Sequence, residues 1–257
     1  MKILGIIQAR MGSSRLPGKM LMPIIDGKGA LELMIERVVG AKQIDKLIVA
    51  TTIDQSDDKL VELCGKLDVD IYRGNVEDVL DRFYQTACSE NEEFDGIVRL
   101  TGDCPFHNPR VIDLVINKYI SSDADYVSNV HPPTFPDGMD VEVFSFKALE
   151  KSWQEAELQY EREHVTQHMC KNPEIYKIEN VFCSEDYSSH RWTLDEEADF
   201  VFVKAVYENL YHQAEECFGM RNILSFLERH PEIKESNHDI ERNEGLKKSI
   251  ESEKKGI

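Results

Sequence analysis

Three cations, Arg10, Arg15 and Lys19, fall within ten residues of one another in the stretch QARMGSSRLPGKML, residues 8–21, directly behind the apolar run KILGII. The 257-residue chain carries 48 Asp and Glu against 30 Lys and Arg, a formal net charge of −18, so this loop departs from the rest of the sequence. Crowded cations in a Gly- and Ser-bearing loop suit a bound polyanion. Three kinds of loop compete. A dinucleotide fingerprint needs G-x-G-x-x-G, and only Gly12 and Gly18 are present. A P-loop needs four residues between its glycines and a hydroxyl after the lysine. Here five residues intervene, Met20 follows Lys19, and Pro23 hinders a helix. The third kind is a long loop wrapped around a triphosphate, with Gly12, Ser13 and Ser14 as compact donors. Arg10 and Arg15 then bring planar bidentate forks and Lys19 a point charge. A solvated basic loop is the plain alternative.

The elements around this loop must hold it at the edge of a sheet. Apolar runs at 2–7, 46–52, 69–74 and 96–102 end in polar or Gly-bearing turns, as buried parallel strands do. Helical patterns alternate with them. Leu31, Met34, Ile35 and Val38 form one stripe in 30–42. Residues 56–67 open at Ser56 with Asp57 and Asp58 in the first turn, a cap and dipole arrangement. Further helices fit 77–88 and 109–120, the latter with Pro at its first position. This repetition predicts an α/β fold, a mostly parallel central sheet with helices on both faces. In the second half DYVSNV and MDVEVF read as strands flanking the HPPTFPDG loop, which suggests a mixed β region. Helices are expected around 145–153, 160–171, 196–210 and 221–230. Residues 1–232 read as a single domain, and 233–257 as a polar C-terminal tail, a peripheral helix or a frayed end.

The acidity makes nucleic acid and anionic membrane surfaces poor partners, so a polyanion site must be a local pocket. The six cysteines show no C-x-x-C pair, and no apolar run reaches the ~20 residues of a membrane span. With no signal peptide, a cytoplasmic protein with reduced thiols is expected.

The opening stretch resembles the N-terminal signature of the sugar cytidylyltransferases. The spore-coat-polysaccharide type is nearest, and the 3-deoxy-manno-octulosonate and acylneuraminate enzymes are related. The family pattern x-x-A-R-x-x-S-x-R-x-P-x-K is filled here by Ala9, Arg10, Ser13, Arg15, Pro17 and Lys19. VATTIDQSDD, which holds Thr51, is similar to the second-strand region that faces the cytosine base. RLTGDCPF, with Thr101, Gly102 and Asp103, is similar to the L-x-G-D-x-P loop. RWTLDEEADF is similar to the later segment that places a second metal carboxylate at Asp195. With PDGMDVEVF and EREHV, the likeness runs from about residue 1 to 245. It implies a nucleotide-diphospho-sugar-transferase fold, CTP and a small sugar as substrates, magnesium on Asp103 and Asp195, a homodimer, and a place in cell-surface polysaccharide biosynthesis.

Nucleotidyl transfer needs in-line positioning and neutralised phosphate charge. On this reading Arg10, Lys19 and Asp103 are catalytic, with Arg15 at the outer phosphates or bracing the loop. Taken alone, Gly102-Asp103 also suits a turn and Asp195 a helix cap. Arg73 either contacts nucleotide or pairs with Asp78 or Asp81. Asp140 and Glu142 alternate with Met139, Val141 and Val143, which points both carboxylates to one strand face. That face is either solvated or the acceptor site, with Glu163, His164 and Arg191 behind it. His164 and His168 are spaced i, i+4 on the expected helix. An acidic nonulosonic or keto-sugar acid is the leading acceptor, its carboxylate taken by Arg162 or Arg191. A phosphorylated or neutral polyol is the alternative. A glycosyltransferase would more typically show a D-x-D pair, and DCP at 103–105 lacks the second aspartate.

Overall fold

Ile3 and Ile7 on one face of the first strand and Leu4 and Ile6 on the other belong to two separate apolar cores, so this strand is covered on both sides. A continuous apolar run is what such a strand requires. The computed structural model describes residues 1–212 and 217–256. Its strands are β1 (Ile3–Gln8), β2 (Lys46–Thr52), β3 (Asp70–Gly74), β4 (Gly96–Thr101), β5 (Tyr126–Ser128), β6 (Glu142–Ser145) and β7 (Ile178–Asn180). They form one seven-stranded sheet in the order β3-β2-β1-β4-β6-β5-β7. β3, β2, β1 and β4 run parallel, with Ile6 opposite both Ile48 and Arg99. β6 is antiparallel to β4 and β5, and β7 is parallel to β5. The expected mixed region is thus part of the same sheet. The short, half-buried β7 offers no alternation from which to infer it.

The helices α1 (Ala30–Val38), α2 (Asp58–Leu67) and α4 (Pro109–Ile120) pack on one core. They are joined there by α8 (Glu197–Leu210) and α9 (Met220–Arg229). On the other face lie α3 (Val79–Cys88) and α5 (Phe146–Glu155). The strand order reverses at β1: the chain moves outward through β2 and β3, then crosses back to β4 on the other side of β1. Ligands of open α/β sheets bind at such a switch point, where the loops after neighbouring strands diverge and leave a crevice. The Arg10–Lys19 loop follows β1, and Asp103 follows β4.

Three local expectations change. The helix expected to open at Ser56 is preceded by a 3-10 turn, Gln55–Asp57, capped by Asp54, whose Oδ1 accepts from Ser56 N at 2.8 Å. α2 starts only at Asp58, and Asp57 turns inward instead of lying in a first helical turn. The helix expected over 160–171 is split into α6 (Gln159–Glu163) and α7 (Gln167–Lys171) by Val165 at φ 56°. That left-handed residue ends the helical register, so His164 and His168 do not share one helix. His168 Nδ1 lies 3.0 Å from the Tyr176 hydroxyl.

Of the two forms expected for the polar C-terminal segment, a peripheral helix or a frayed end, the structure shows helix through residue 255, joined to the rest of the molecule by polar contacts. The segment holds α10 (Pro231–Lys234), a 3-10 turn and α11 (Glu244–Lys255). Asn237 is buried, and its amide donates to Arg191 O at 3.1 Å and Asp199 Oδ1 at 2.9 Å. Arg242 donates to Phe135 O at 3.1 Å, and Glu253 accepts from Gln159 N at 3.0 Å. Polar contacts hold this segment, so no apolar stripe announces it in the sequence. Among the described residues, no helix is long and apolar enough to cross a membrane.

Candidate active site

Asp57 fixes the start of the cationic loop. Its Oδ1 accepts from Met11 N at 2.7 Å, while Oδ2 accepts from Thr51 Oγ1 at 3.0 Å, Thr52 N at 3.1 Å and the Thr52 hydroxyl. One buried carboxylate thereby ties the exit of β1 to the exit of β2. Sequence reasoning treated Asp57 as a helix-dipole residue and missed this role. Further along, Ser13 Oγ accepts from Leu16 N, and Gly18 turns the chain at φ 75° into a short 3-10 helix that carries Lys19. Left-handed backbone there favours glycine. Gly102 is required for a different reason. A Cβ on it would lie 2.9 Å from the Ala9 Cβ and 3.1 Å from Gln8 O, so only glycine lets the Asp103 loop close onto the end of β1.

A cleft of about 640 Å³ opens at this point, within the usual size of a small-molecule site. Ala9, Arg10, Gly12, Ser13, Ser14, Arg15, Lys19, Thr101, Asp103, Glu163, His164 and Asp195, all singled out from the sequence, line it together. At its floor the buried Lys19 ammonium donates to Asp103 Oδ2 at 2.9 Å and Asp195 Oδ1 at 2.8 Å. Burial alone would lower Lys19, but the two carboxylates outweigh it and hold the lysine above its ordinary value. Burial likewise pushes Asp103 up, and the charge and hydrogen bond of Lys19 outweigh that, bringing it down to about 2. The carboxylate pair therefore already accommodates a positive charge. It has the two-carboxylate donor set that suits magnesium, which completes its shell with waters and phosphate oxygens. Among the described residues, no group of three or more His, Cys, Asp or Glu offers a protein-only metal cage.

Asp195 sits just ahead of α8. The helix cap is Glu196, paired with Asp199 in a capping box, so Asp195 is free of the capping role. Asp199 Oδ2 accepts from Asp195 N at 2.9 Å and Glu196 N at 3.0 Å, and Leu194 N donates to Asp103 O at 2.7 Å. These bonds lash the 191–196 segment to the loop after β4. Arg15 Nη2 lies 2.9 Å from Asp195 Oδ1, with Glu196 and Glu244 at 3.6 and 3.5 Å. Arg10, by contrast, has no carboxylate within 4.0 Å among the described residues.

Several expected contacts fall elsewhere. Thr51 is enclosed on Asp57 and does not line the cleft. Arg73 neither lines the cleft nor pairs with Asp78 or Asp81. It grips Thr52 O, Asp54 O and Asp58, bracing the turn after β2. Arg191 is buried between Asp199 at 2.9 Å, Asp137 at 3.2 Å and Asp195 at 3.4 Å, so it orients Asp195 from behind. Glu142 is shut within the sheet, bonded by Arg99 and by the Tyr126 and Thr166 hydroxyls, each at 2.6 Å. Burial raises Glu142, but Arg99 and those hydroxyls overcome it and leave the carboxyl below its ordinary value. Asp140, expected on the same strand face as Glu142, lies two residues ahead of β6 and is gripped by Arg242 at 2.5 Å. Burial, reinforced by Asp137 and Glu142, pushes it up to about 7 against the pull of Arg242. Arg162 bonds Asp78 at 2.9 and 2.5 Å.

Two features of the cleft were not read from the sequence. The first is Arg82 on α3, 2% exposed yet part of the lining. Its Nη1 donates to Asn75 O at 2.8 Å, while its buried Nε has no partner. Burial, and then the charge of Arg10, push it down to about 10. The available signal was an arginine three residues after Val79 and four before Thr86, on the buried stripe of an amphipathic helix. The second feature is the wall from α11. Glu244, Gly245 and Lys248 line the cleft, while Ser249 Oγ lies 3.0 Å from His164 Nε2 and donates to Glu163 Oε2 at 2.9 Å. Burial lowers His164 from its ordinary value, against the pull of Glu163.

The family model described as cytidylyltransferase matches residues 4–254. An uncharacterized protein of Methanocaldococcus jannaschii, MJ1063, is 39% identical over 247 residues, 93% of this chain and 96% of that protein. The spore coat polysaccharide biosynthesis protein SpsF of Bacillus subtilis is 31% identical over 242 residues, 90% of this chain and 95% of SpsF. Among solved structures, a cytidylyltransferase from Leptospira borgpetersenii superposes with a TM-score of 0.86 at 33% identity. That match covers 94% of this chain and all of the other.

Proposed function

The chain belongs to the cytidylyltransferase family, and on that premise we propose that it moves CMP from CTP to a hydroxyl of a small sugar, with release of pyrophosphate. The observation that carries this reading is the meeting, in one cleft, of Arg10, Arg82 and Lys19 with the carboxylates of Asp103 and Asp195. Arg10 and Arg82 are cations that no described carboxylate satisfies, and a triphosphate supplies the missing charge. Ser13, Ser14 and the loop backbone hold its oxygens, and Lys19 stabilises charge that develops on the departing pyrophosphate. Magnesium, held by Asp103 and Asp195, would polarise the α-phosphoryl group and acidify the attacking hydroxyl. Arg191 and Asp199 keep the Asp195 carboxylate aimed at that position.

The acceptor lies against Glu163, His164 and the α11 wall, where carboxylates and imidazole suit sugar hydroxyls. A carboxylate-bearing sugar, a nonulosonic or keto-sugar acid, is the acceptor we favour. Arg162 and Arg191 are committed to buried or half-buried partners, Asp78, Asp137 and Asp199, whereas Lys248 lines the cleft in an exposed i, i+4 pair with Glu244 at 2.6 Å, a contact that an acceptor carboxylate can replace at little cost. The likeness to SpsF supports a place in polysaccharide biosynthesis. The test is pyrophosphate release with CTP, UTP, ATP or GTP in magnesium, against acidic, phosphorylated and neutral sugars. Release with CTP and an acidic sugar is expected. Failure to bind CTP in calorimetry would overturn the proposal.

A further inference from the structure

The Lys19 ammonium bridges Asp103 and Asp195, the two carboxylates proposed to hold magnesium, at 2.9 and 2.8 Å from one oxygen of each. Lys19 is 6% exposed, so it is a buried charge balanced by two carboxylates rather than a solvated surface lysine. Two cations cannot share that space. A hard divalent ion draws carboxylate oxygens to about 2.0–2.1 Å and would be repelled by an ammonium already in its place.

We propose that Lys19 is a built-in stand-in for the metal, and that it leaves the carboxylate pair only when a triphosphate enters the cleft. The inference rests on the nucleotide-binding reading above and adds an order of events to it. In the free protein Lys19 keeps Asp103 and Asp195 together and denies them to a bare divalent cation. The arriving nucleotide offers Lys19 a stronger set of oxygens, beside Arg10 and Arg82 in the same cleft. Lys19 then swings from the carboxylates to the phosphates, which would leave Asp103 and Asp195 open to hold a divalent cation that accompanies the phosphates. Each charge keeps a partner throughout, which matters because an unpaired buried charge is costly. No proton moves, since Lys19 is an ammonium before and after. Asp195 keeps Arg15 at 2.9 Å and Arg191 at 3.4 Å, so it holds its place while Lys19 is away. Metal and nucleotide affinities are therefore coupled, and each raises the other by the same factor.

The experiment is a Mn²⁺ titration of the full chain without nucleotide, followed by electron paramagnetic resonance. Lys19→Met should bind Mn²⁺ at least tenfold more tightly than the wild type, and adding Asp103→Asn to that variant should abolish the gain. Equal affinity in wild type and Lys19→Met overturns the proposal, as does a gain that survives the second substitution. Should Lys19→Met not fold, the wild type itself decides. The shielded Lys19 Nζ–H resonance in ¹⁵N-lysine-labelled protein should move when magnesium and an α,β-methylene analogue of CTP are added, and not with magnesium alone. A resonance displaced by magnesium alone, or unmoved by saturating analogue, refutes the exchange. No binding of the analogue would instead sink the nucleotide reading, and Mn²⁺ affinity in the nucleotide-free proteins would still judge the stand-in.

Discussion

Replacing Arg82 by methionine should separate a functional cation from a structural one, because the two roles predict opposite stability changes. Arg82 is 2% exposed, and its Nε lacks a partner. Burial and Arg10 lower it from an ordinary 12.5 to about 10. At about 1.4 kcal/mol per pH unit, that displacement corresponds to no more than ~3.5 kcal/mol of charge stored unfavourably in the fold. Methionine fills similar length and stores none of it. Against that gain stands one lost hydrogen bond, to Asn75 O at 2.8 Å, about 1.5–3 kcal/mol for a charged donor. The ligand-free variant should therefore be about as stable as the wild type, or more stable by about 1 kcal/mol. In a chain of this size that amounts to a rise of roughly 2–4 °C in Tm. CTP affinity should fall by about 10- to 100-fold, the worth of a charge-assisted bond to phosphate, roughly 1.5–3 kcal/mol. Differential scanning calorimetry without ligand and titration calorimetry with CTP read the two quantities. A variant that loses 2 kcal/mol or more of stability while binding CTP normally would make Arg82 a structural residue and remove it from the nucleotide site.

Asp57→Asn places an amide donor among the donors of Met11, Thr51 and Thr52, and should cost about 2–4 kcal/mol; a Tm within a degree of wild type would contradict this. Asp195→Asn should preserve the fold, as judged by circular dichroism, and reduce pyrophosphate release at least 100-fold; near-normal turnover would remove Asp195 from the metal site. Asp103, held at about 2 in the fold against an ordinary 3.8, stabilises the protein above pH ~4 and loses that contribution as pH falls toward ~2. Tm measured from pH 5 to 2 should accordingly drop less steeply for Asp103→Asn than for the wild type, and parallel curves would count against the pairing with Lys19.

The acidity of the chain and the cations of its cleft fit together. A charge of −18 keeps polyanions at large from the surface, while Arg10, Arg82 and Lys19 gather at one crevice between the exits of β1 and β4. A small anion that enters the crevice meets short-range charge and hydrogen bonds at full strength, because burial limits screening there.

The parallel β-α alternation, the loop from Ala9 to Lys19 and the Gly102-Asp103 turn were legible in the sequence, because each is a local pattern. Apolar periodicity and turn chemistry act over a few residues, and they set β1, β2, β4 and α4 close to where they were expected. What no spacing encodes is which charges meet. Lys19 and Asp195 stand 176 residues apart, and Arg242 and Asp140 stand 102 apart. Glu142 and Arg191 carry the right chemistry for an acceptor site, yet their nearest oppositely charged neighbours across the fold consume them, so they hold the frame instead. Arg82 moves the other way: an unremarkable helical arginine becomes a cleft cation because its helix packs its stripe against the sheet and leaves the guanidinium without a carboxylate. The α11 wall likewise depends on a polar segment finding polar partners on α6. Local pattern along the chain sets the scaffold and the anion loop. Tertiary packing decided which of its ionisable groups remain available for chemistry, since a charge is free only where the fold has brought it no counter-charge.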